Sequence, residues 1–288
     1  MNDFFSYLAA GEDDRNWGLY LNVAGRSKVA PRKTYPLTDH PSGYYFSWQN
    51  GRVLNEHQLN YITKGRGVYE DRSVHYRVQE GSIMVVPKGK WHRYRPDQRT
   101  GWTENYIGFS GLLADHFFEK ASMLNQPPVI RCGEREEFID TYYKIFDLVK
   151  KEDPGFQQIA SGLVIKLLGY MIAFRKQQQF SGKHIEQIIR YARFHMRQNI
   201  PREIDMKVLA DEQNIGYSYF RKKFKEYTGI SPHQYHLELK IMRARELLVS
   251  TNKTIKEICF EVGFESSHYF SRFFKQKVGV SPSELRNR

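Results

Sequence analysis

Two sequence patterns predict a multidomain α+β chain: an N-terminal β-barrel or jelly roll with helices, and a C-terminal all-α domain with two helix-turn-helix units. The first pattern is a duplication. Residues 206–232 read MKVLADEQNIGYSYFRKKFKEYTGISP and residues 255–282 read IKEICFEVGFESSHYFSRFFKQKVGVSP. Tyr219-Phe220, Phe224-Lys225, Gly229 and Ser231-Pro232 recur as Tyr269-Phe270, Phe274-Lys275, Gly279 and Ser281-Pro282. The second is a run of short aromatic and β-branched segments over 19–110, punctuated by glycine. A chain of 288 residues with 40% apolar and 15% aromatic residues can fill more than one core.

In the C-terminal part, Ile185, Ile188, Ile189 and Ala192 have helical spacing, and Asn199-Ile200-Pro201 ends that helix. Asp205 is placed to cap the next, Met206 to about Gln213, with Val208, Leu209 and Ala210 as its apolar face. The turn holds Gly263 in the second copy and Asn214 in the first, the two residue types that best tolerate a left-handed backbone. Thr254-x-x-Glu257 spells a capping box. Ser231-Pro232 and Ser281-Pro282 each set a cap before a proline at the first helical position. Pro232 to Val249 reads as one amphipathic helix with Tyr235, Leu239, Met242, Leu247 and Leu248 on its apolar side. A rod of about 27 Å can hold two recognition helices about one DNA turn apart.

Each second helix buries its phenylalanines (Phe220 and Phe224; Phe270 and Phe274) and offers a basic opposite face. That face carries Ser218, Arg221, Lys222 and Lys225 in copy one, and Ser267, His268, Ser271, Arg272 and Lys275 in copy two. Arginine pairs bidentately with guanine, and shorter polar side chains reach bases or phosphates. The net charge is +12, and from residue 184 onward 19 Lys and Arg stand against 12 Asp and Glu, so the positive charge is denser in this part. Double-stranded DNA is the partner this surface suits.

Residues 184–288 resemble the DNA-binding domain of the AraC/XylS transcription regulators. The resemblance rests on Leu209-Ala210, Gly229-Ile230-Ser231-Pro232, Ala244-Arg245…Leu247-Leu248, Val262-Gly263-Phe264 and Tyr269-Phe270-Ser271-Arg272-Phe273-Phe274-Lys275. It implies base-reading positions at Ser218, Arg221, Lys222, Ser267, His268, Ser271 and Arg272. Asn214 and Gly216 replace the glycine and serine cap usual in copy one, and Cys259 takes a small-residue place, as a buried cysteine can.

In the N-terminal part, Gln58–Thr63 alternates, Lys64-Gly65-Arg66-Gly67 reads as a turn, and Ile83–Val86, Trp91–Tyr94 and Thr103–Phe109 read as strands. Gly81-Ser82-x4-Pro87-x-Gly89-x-x-His92 resembles a motif of the cupin barrel. His57 and His75 are isolated, and no His-x-His precedes the motif, so neither a metal nor another cofactor is expected. Strand alternation puts His92 and Tyr94 on one face and Trp102, Glu104 and Tyr106 on another. Aromatic planes beside hydrogen-bonding groups suit a small polyol such as a sugar, and an unpaired buried carboxylate at Glu104 is costly as plain core. Similarity to the family's arabinose-responsive arm implies ligand contacts at Tyr94, Glu104, Tyr106 and Arg52.

The expected organisation is an N-terminal arm (1–18), a cupin-like sensing barrel (19–133), a helical dimerisation segment (134–178), a polar linker (179–183) and the DNA-reading domain (184–288). Ile159, Leu163, Leu167, Tyr170 and Phe174 form a stripe of the kind that usually packs on its own domain. The face is wide, extended by Val164, Leu168 and Met171, so it can also be shared with a second chain, and a homodimer is expected. By analogy the arm closes on ligand. No run approaches 18 apolar residues, no signal peptide is read, and Cys132 and Cys259 are the only cysteines, which together predict a cytoplasmic protein without disulfides. No nucleophile–base pair stands out, so no catalytic residue is expected. The reading is a ligand-controlled transcription regulator, by resemblance an activator with RNA polymerase as a further partner. Two alternatives are a cupin-like enzyme fused to a DNA-binding domain and a regulator whose barrel binds a protein. Arg272→Ala should relax preference at particular base positions, whereas Lys275→Ala should weaken all sequences alike and flatten the salt dependence. Equal losses across all sequences for both, in binding titrations, would contradict that division.

Overall fold

The computed structural model describes residues 3–35, 46–72, 74–120 and 126–287. The chain divides into two compact units, residues 1–175 and 176–288. Among the described residues the first unit holds nine strands and four helices. In chain order these are β1 (Phe4–Tyr7), α1 (Glu12–Trp17), β2 (Tyr20–Val29), β3 (Arg52–Val53), β4 (His57–Glu70), β5 (His75–Gln79), β6 (Ser82–Val86), β7 (Trp91–Pro96), β8 (Trp102–Ser110), α2 (Leu112–Lys120), β9 (Val129–Arg131), α3 (Glu136–Lys151) and α4 (Phe156–Phe180), which crosses the boundary between the units.

The sheet runs β1-β2-β8-β4-β6-β9, and its organising strand is β4. Its first half pairs with β6 and β8, and its second half, from Arg66, pairs with β5 and β7. The expected turn at Lys64–Gly67 is instead a bend within one continuous strand. A register shift falls between Ile62 and Lys64, and Gly65 has φ +84°. A Cβ at Gly65 would lie 2.2 Å from the Gly101 carbonyl oxygen, so only glycine lets the strand bend this close to its neighbour.

One sheet face meets the helices. Leu59, Tyr61, Ile83, Val85, Ile107 and Phe109 pack there against Phe138, Tyr142, Ile145 and Phe146 of α3 and Ala160, Val164, Leu167, Leu168 and Met171 of α4. The buried Gln157 side chain bonds both backbone groups of Leu21, at 2.9 and 3.2 Å, and ties α4 to β2. The other face closes around Val29, Leu54, Ile62, Tyr69, Met84, Val86, Tyr94 and Trp102. By length and composition α4 could cross a membrane, with a mean hydropathy of 1.3. Its buried face, however, is part of this core and its outward face carries Lys166.

The segment read as an arm forms an edge strand and a helix. β1 pairs with residues 23–26 of β2, Trp17 Nε1 donates to Ser161 Oγ at 2.8 Å, and Gln158 Nε2 donates to Asp14 Oδ1 at 2.8 Å. The polar linker at 179–183 is corrected. α4 continues through Phe180, whose ring is 2% exposed within the second unit's core, and only Ser181-Gly182 turn. The sequence pattern missed this because one aromatic residue after four polar ones shows no periodicity.

The second unit continues with α5 (His184–Gln198), α6 (Met206–Asp211), α7 (Tyr217–Thr228), α8 (Pro232–Ser250), α9 (Ile255–Glu261), α10 (Ser267–Val278) and α11 (Pro282–Arg286). The expected caps form. Asp205 accepts from the Lys207 and Val208 amides, and Ser231, Thr254 and Ser281 each close a capping box. Asn214 (φ 55°) and Gly263 (φ 76°) make the two left-handed turns, and Gly229 (φ 90°) and Gly279 (φ 87°) end the two second helices. Two faces differ from the sequence reading. Val208 is 51% exposed and Met206 takes its place in the core; Met242 is 64% exposed, and α8 buries His236, Lys240, Ile241 and Ala244 instead.

Candidate functional site

The barrel interior collects polar groups that strand alternation alone could not bring together. The faces bearing His92-Tyr94 and Trp102-Glu104-Tyr106 both point into it, and all five residues are buried. Arg52 enters from β3, paired opposite His92 on β7. Its Nε donates to His92 Nε2 at 3.1 Å, and its Nη2 donates to Tyr94 Oη at 2.5 Å. His92 Nδ1 faces the Lys90 carbonyl at 3.0 Å, so the ring is neutral, with its proton on Nδ1. Burial and then Arg52 push the His92 pKa down to about 3, in keeping with that tautomer. Tyr69, His92 and Tyr94 stack in parallel, their ring centroids about 6 Å apart.

Sequence reasoning missed two members of this cluster. Asn60 Nδ2 donates to Tyr94 Oη at 3.1 Å, and Tyr35 Oη donates to Glu104 Oε1 at 3.4 Å. The signal for Asn60 was present, since Gln58 and Asn60 put polar groups on the strand face opposite Leu59 and Tyr61. Gly25, paired with Tyr106, makes room for that ring; a Cβ there would fall 2.4 Å from the Tyr106 hydroxyl.

Four buried polar atoms here have no hydrogen-bond partner among the described residues: Asn60 Oδ1, Trp102 Nε1, Glu104 Oε2 and Tyr106 Oη. Leaving such groups unpaired costs free energy. Two can donate and three can accept, with aromatic planes alongside. Burial raises the Glu104 pKa to about 7, against the opposing pull of Arg52. His57, which the sequence left isolated, is structural. It bonds Asp115 of α2 at 2.9 Å, accepts the Lys88 amide at 3.1 Å and stacks on Phe118. Among the described residues no group of three His, Cys, Asp or Glu could hold a metal ion.

The second unit presents the two basic faces. On α7, Phe220 and Phe224 are fully buried, while Ser218, Arg221, Lys222 and Lys225 are exposed along one side. On α10, Phe270 and Phe274 anchor the helix. His268, Arg272 and Lys275 are exposed, and Ser267 and Ser271 are half-buried beside them. Lys223 and Lys277 drop out of the candidate surface, being held by Glu226 at 2.6 Å and Glu238 at 2.5 Å. Among the described residues Arg221, Lys222, Lys225, Arg272 and Lys275 make no ion pair, so their charge is available to phosphates or bases.

A barrel with a polar buried interior, joined to paired basic recognition helices, defines a DNA-binding regulator with a ligand-binding domain. Residues 34–168 match the family model described as the AraC-like ligand binding domain, and residues 209–288 match a helix-turn-helix domain. The chain is 27% identical to the MmsAB operon regulatory protein of Pseudomonas aeruginosa, over 89% of this chain and 84% of that one. It is 24% identical to the lactose operon transcription activator of Staphylococcus xylosus, over 83% and 86%. It is also 24% identical to the arabinose operon regulatory protein of Escherichia coli, over 79% of each. The chain belongs to the AraC family of transcription regulators.

Glu104 has a stability consequence. Its folded pKa of about 7 lies above the ordinary 4.5, so its contribution is fully present below pH 4.5 and is lost as pH rises through about 7. The loss is about 3 kcal/mol. In thermal denaturation, Glu104→Gln should match the wild type at about pH 4 and melt roughly 8 °C higher at pH 8. Equal melting at pH 8 would show that the carboxylate is already compensated.

Proposed function

We propose that the chain is a cytoplasmic transcription activator whose barrel binds a neutral sugar and which works as a homodimer. The set of unpaired atoms on Asn60, Trp102, Glu104 and Tyr106, within an aromatic-lined interior, carries this reading. A polyol supplies hydroxyls that both donate and accept, and its C–H faces stack on rings. The relatives named for lactose and arabinose operons support a sugar, and the one named an activator supports the sign of control. Effector binding changes how readily the basic helices engage DNA by favouring one of two pre-existing arrangements. RNA polymerase is then the partner on the transcription side.

Most of the stripe read in the sequence packs on its own domain, and we place the dimer surface on another face of α4. Leu167 and Phe174 belong to the barrel core, and Ile159 is 58% exposed. The outward face of α4 carries Gly162, Ile165, Gly169 and Ile172, with open space above both glycines. Small residues between apolar ones allow a second helix to approach closely. Ile165→Glu with Ile172→Glu should shift the sedimentation coefficient of the full chain from dimer to monomer; an unchanged value would place the dimer surface elsewhere.

A thermal-shift screen of the full chain against pentoses, hexoses, uronic acids and short oligosaccharides tests the effector. Ligand at about 100 times its dissociation constant should stabilise the protein by roughly 2.7 kcal/mol. Tyr94→Ala and Glu104→Ala should abolish the shift, and Asn60→Ala should weaken it. No shift with any sugar would overturn the sugar assignment in favour of another effector or a protein partner.

A further inference from the structure

Lys240 stands near the middle of α8 and is only 6% exposed, a rare position for an ammonium. Its Nζ donates to the Gly263 carbonyl at 2.7 Å and lies 5.6 Å from the centroid of the Phe264 ring. Gly263 is the left-handed turn of the second helix-turn-helix. A Cβ there would fall 1.9 Å from the Pro201 carbonyl oxygen and 3.0 Å from Lys240 Nζ. Pro201 belongs to the loop that leads into the first helix-turn-helix. Both helix-turn-helix motifs therefore meet α8 at one point. One turn earlier on α8, His236 is 5% exposed, and the carbonyls of Asn199 and Ile200 lie against its ring.

The packing on either side shows why this point matters. Tyr235 and Leu239, in the first half of α8, pack against the core of the first helix-turn-helix with Phe220 and Phe224. Ile241, Ala244, Leu247 and Leu248, in the second half, belong to a separate core with Phe270 and Phe274. Lys240 falls where one core gives way to the other. A buried ammonium is costly unless it is paired, and here a backbone carbonyl and the nearby Glu203 and Glu265 carboxylates favour the charge. Burial lowers the Lys240 pKa, and those two carboxylates offset only part of that shift. An apolar residue would fill the space without that cost, but it could not hold the Gly263 carbonyl.

We propose that Lys240 is a positioning residue: it fixes the second helix-turn-helix against the loop of the first, and so sets the spacing of the two DNA segments that the chain reads together. The proposal rests on the DNA-reading role of α7 and α10. With the tie intact, the two recognition helices move as one body and accept one spacing. Without it, the cores keep their packing but the join loosens, and neighbouring spacings are tolerated.

The test uses a duplex selected from random sequence by the full wild-type chain, remade with one or two base pairs inserted or deleted between the two protected segments. Wild type should lose affinity by about tenfold or more when the spacing changes. Lys240→Met should bind the parent duplex less tightly and vary by no more than about threefold across the series. Lys240→Arg, which can still reach the carbonyl, should restore the sharp profile. A Lys240→Met profile as sharp as that of wild type overturns the proposal. Should Lys240→Met fail to fold, Lys240→Gln carries the same comparison, being polar but too short to reach Gly263: a flattened profile supports the proposal and a sharp one overturns it. If wild type selects no duplex at all, the DNA-reading role itself fails, a result distinct from either profile.

Discussion

Strands β4 and β8 are buried on both faces, and the first unit is organised around that constraint. Every residue of β8 and the first six of β4 are shielded from solvent. A two-residue alternation must then satisfy two different environments at once. Leu59, Tyr61, Ile107 and Phe109 serve the helices, while Asn60, Glu104 and Tyr106 serve the barrel interior. A register slip of one residue would drive Glu104 into the apolar core and expose Ile107 to the polar interior. The pairing is therefore held from both sides, and the polar interior inherits its geometry from the apolar one.

That inheritance explains how the barrel can keep unpaired polar atoms. The cost of Glu104 and its neighbours is met by the core between the sheet and α3 and α4, whose apolar burial is extensive. Stability below its maximum is the usual condition of a binding site, because groups aimed at a ligand cannot also be satisfied by the protein. Arg52, His92 and Tyr94 are the satisfied members of the cluster. The bonds of Arg52 to His92 and Tyr94 fix the two side chains that frame the interior.

The second unit applies the same economy to charge. Phenylalanine pairs hold α7 and α10, leaving the opposite faces free of packing duties. Basic residues near a carboxylate are neutralised locally, as with Lys223 and Lys277, while among the described residues Arg221, Lys222, Lys225, Arg272 and Lys275 make no ion pair. Among the described residues of this unit, Lys240 is the one lysine whose ammonium is turned inward to a backbone carbonyl in the core.

Local chemistry was legible in the sequence. Caps at Asp205, Ser231, Thr254 and Ser281, left-handed turns at Asn214 and Gly263, and the buried phenylalanine pairs all follow from interactions within a few residues, which spacing reveals. The class of fold, the two helices with basic faces and the strand faces of His92-Tyr94 and Trp102-Glu104-Tyr106 were legible in this way. Tertiary structure alone decided what depends on distant segments closing on each other. It made the Lys64–Gly67 stretch a bent strand, because Gly65 must pass the Gly101 carbonyl. It exposed Val208 and Met242 and buried His236 and Lys240, since which side of a helix counts as inside depends on what packs there. It carried Phe180 into a core beyond the polar stretch meant as a linker. It brought Asn60, Tyr35 and Arg52 to Glu104 and Tyr94 across sequence separations that no periodicity spans, because strand pairing, not spacing, places them.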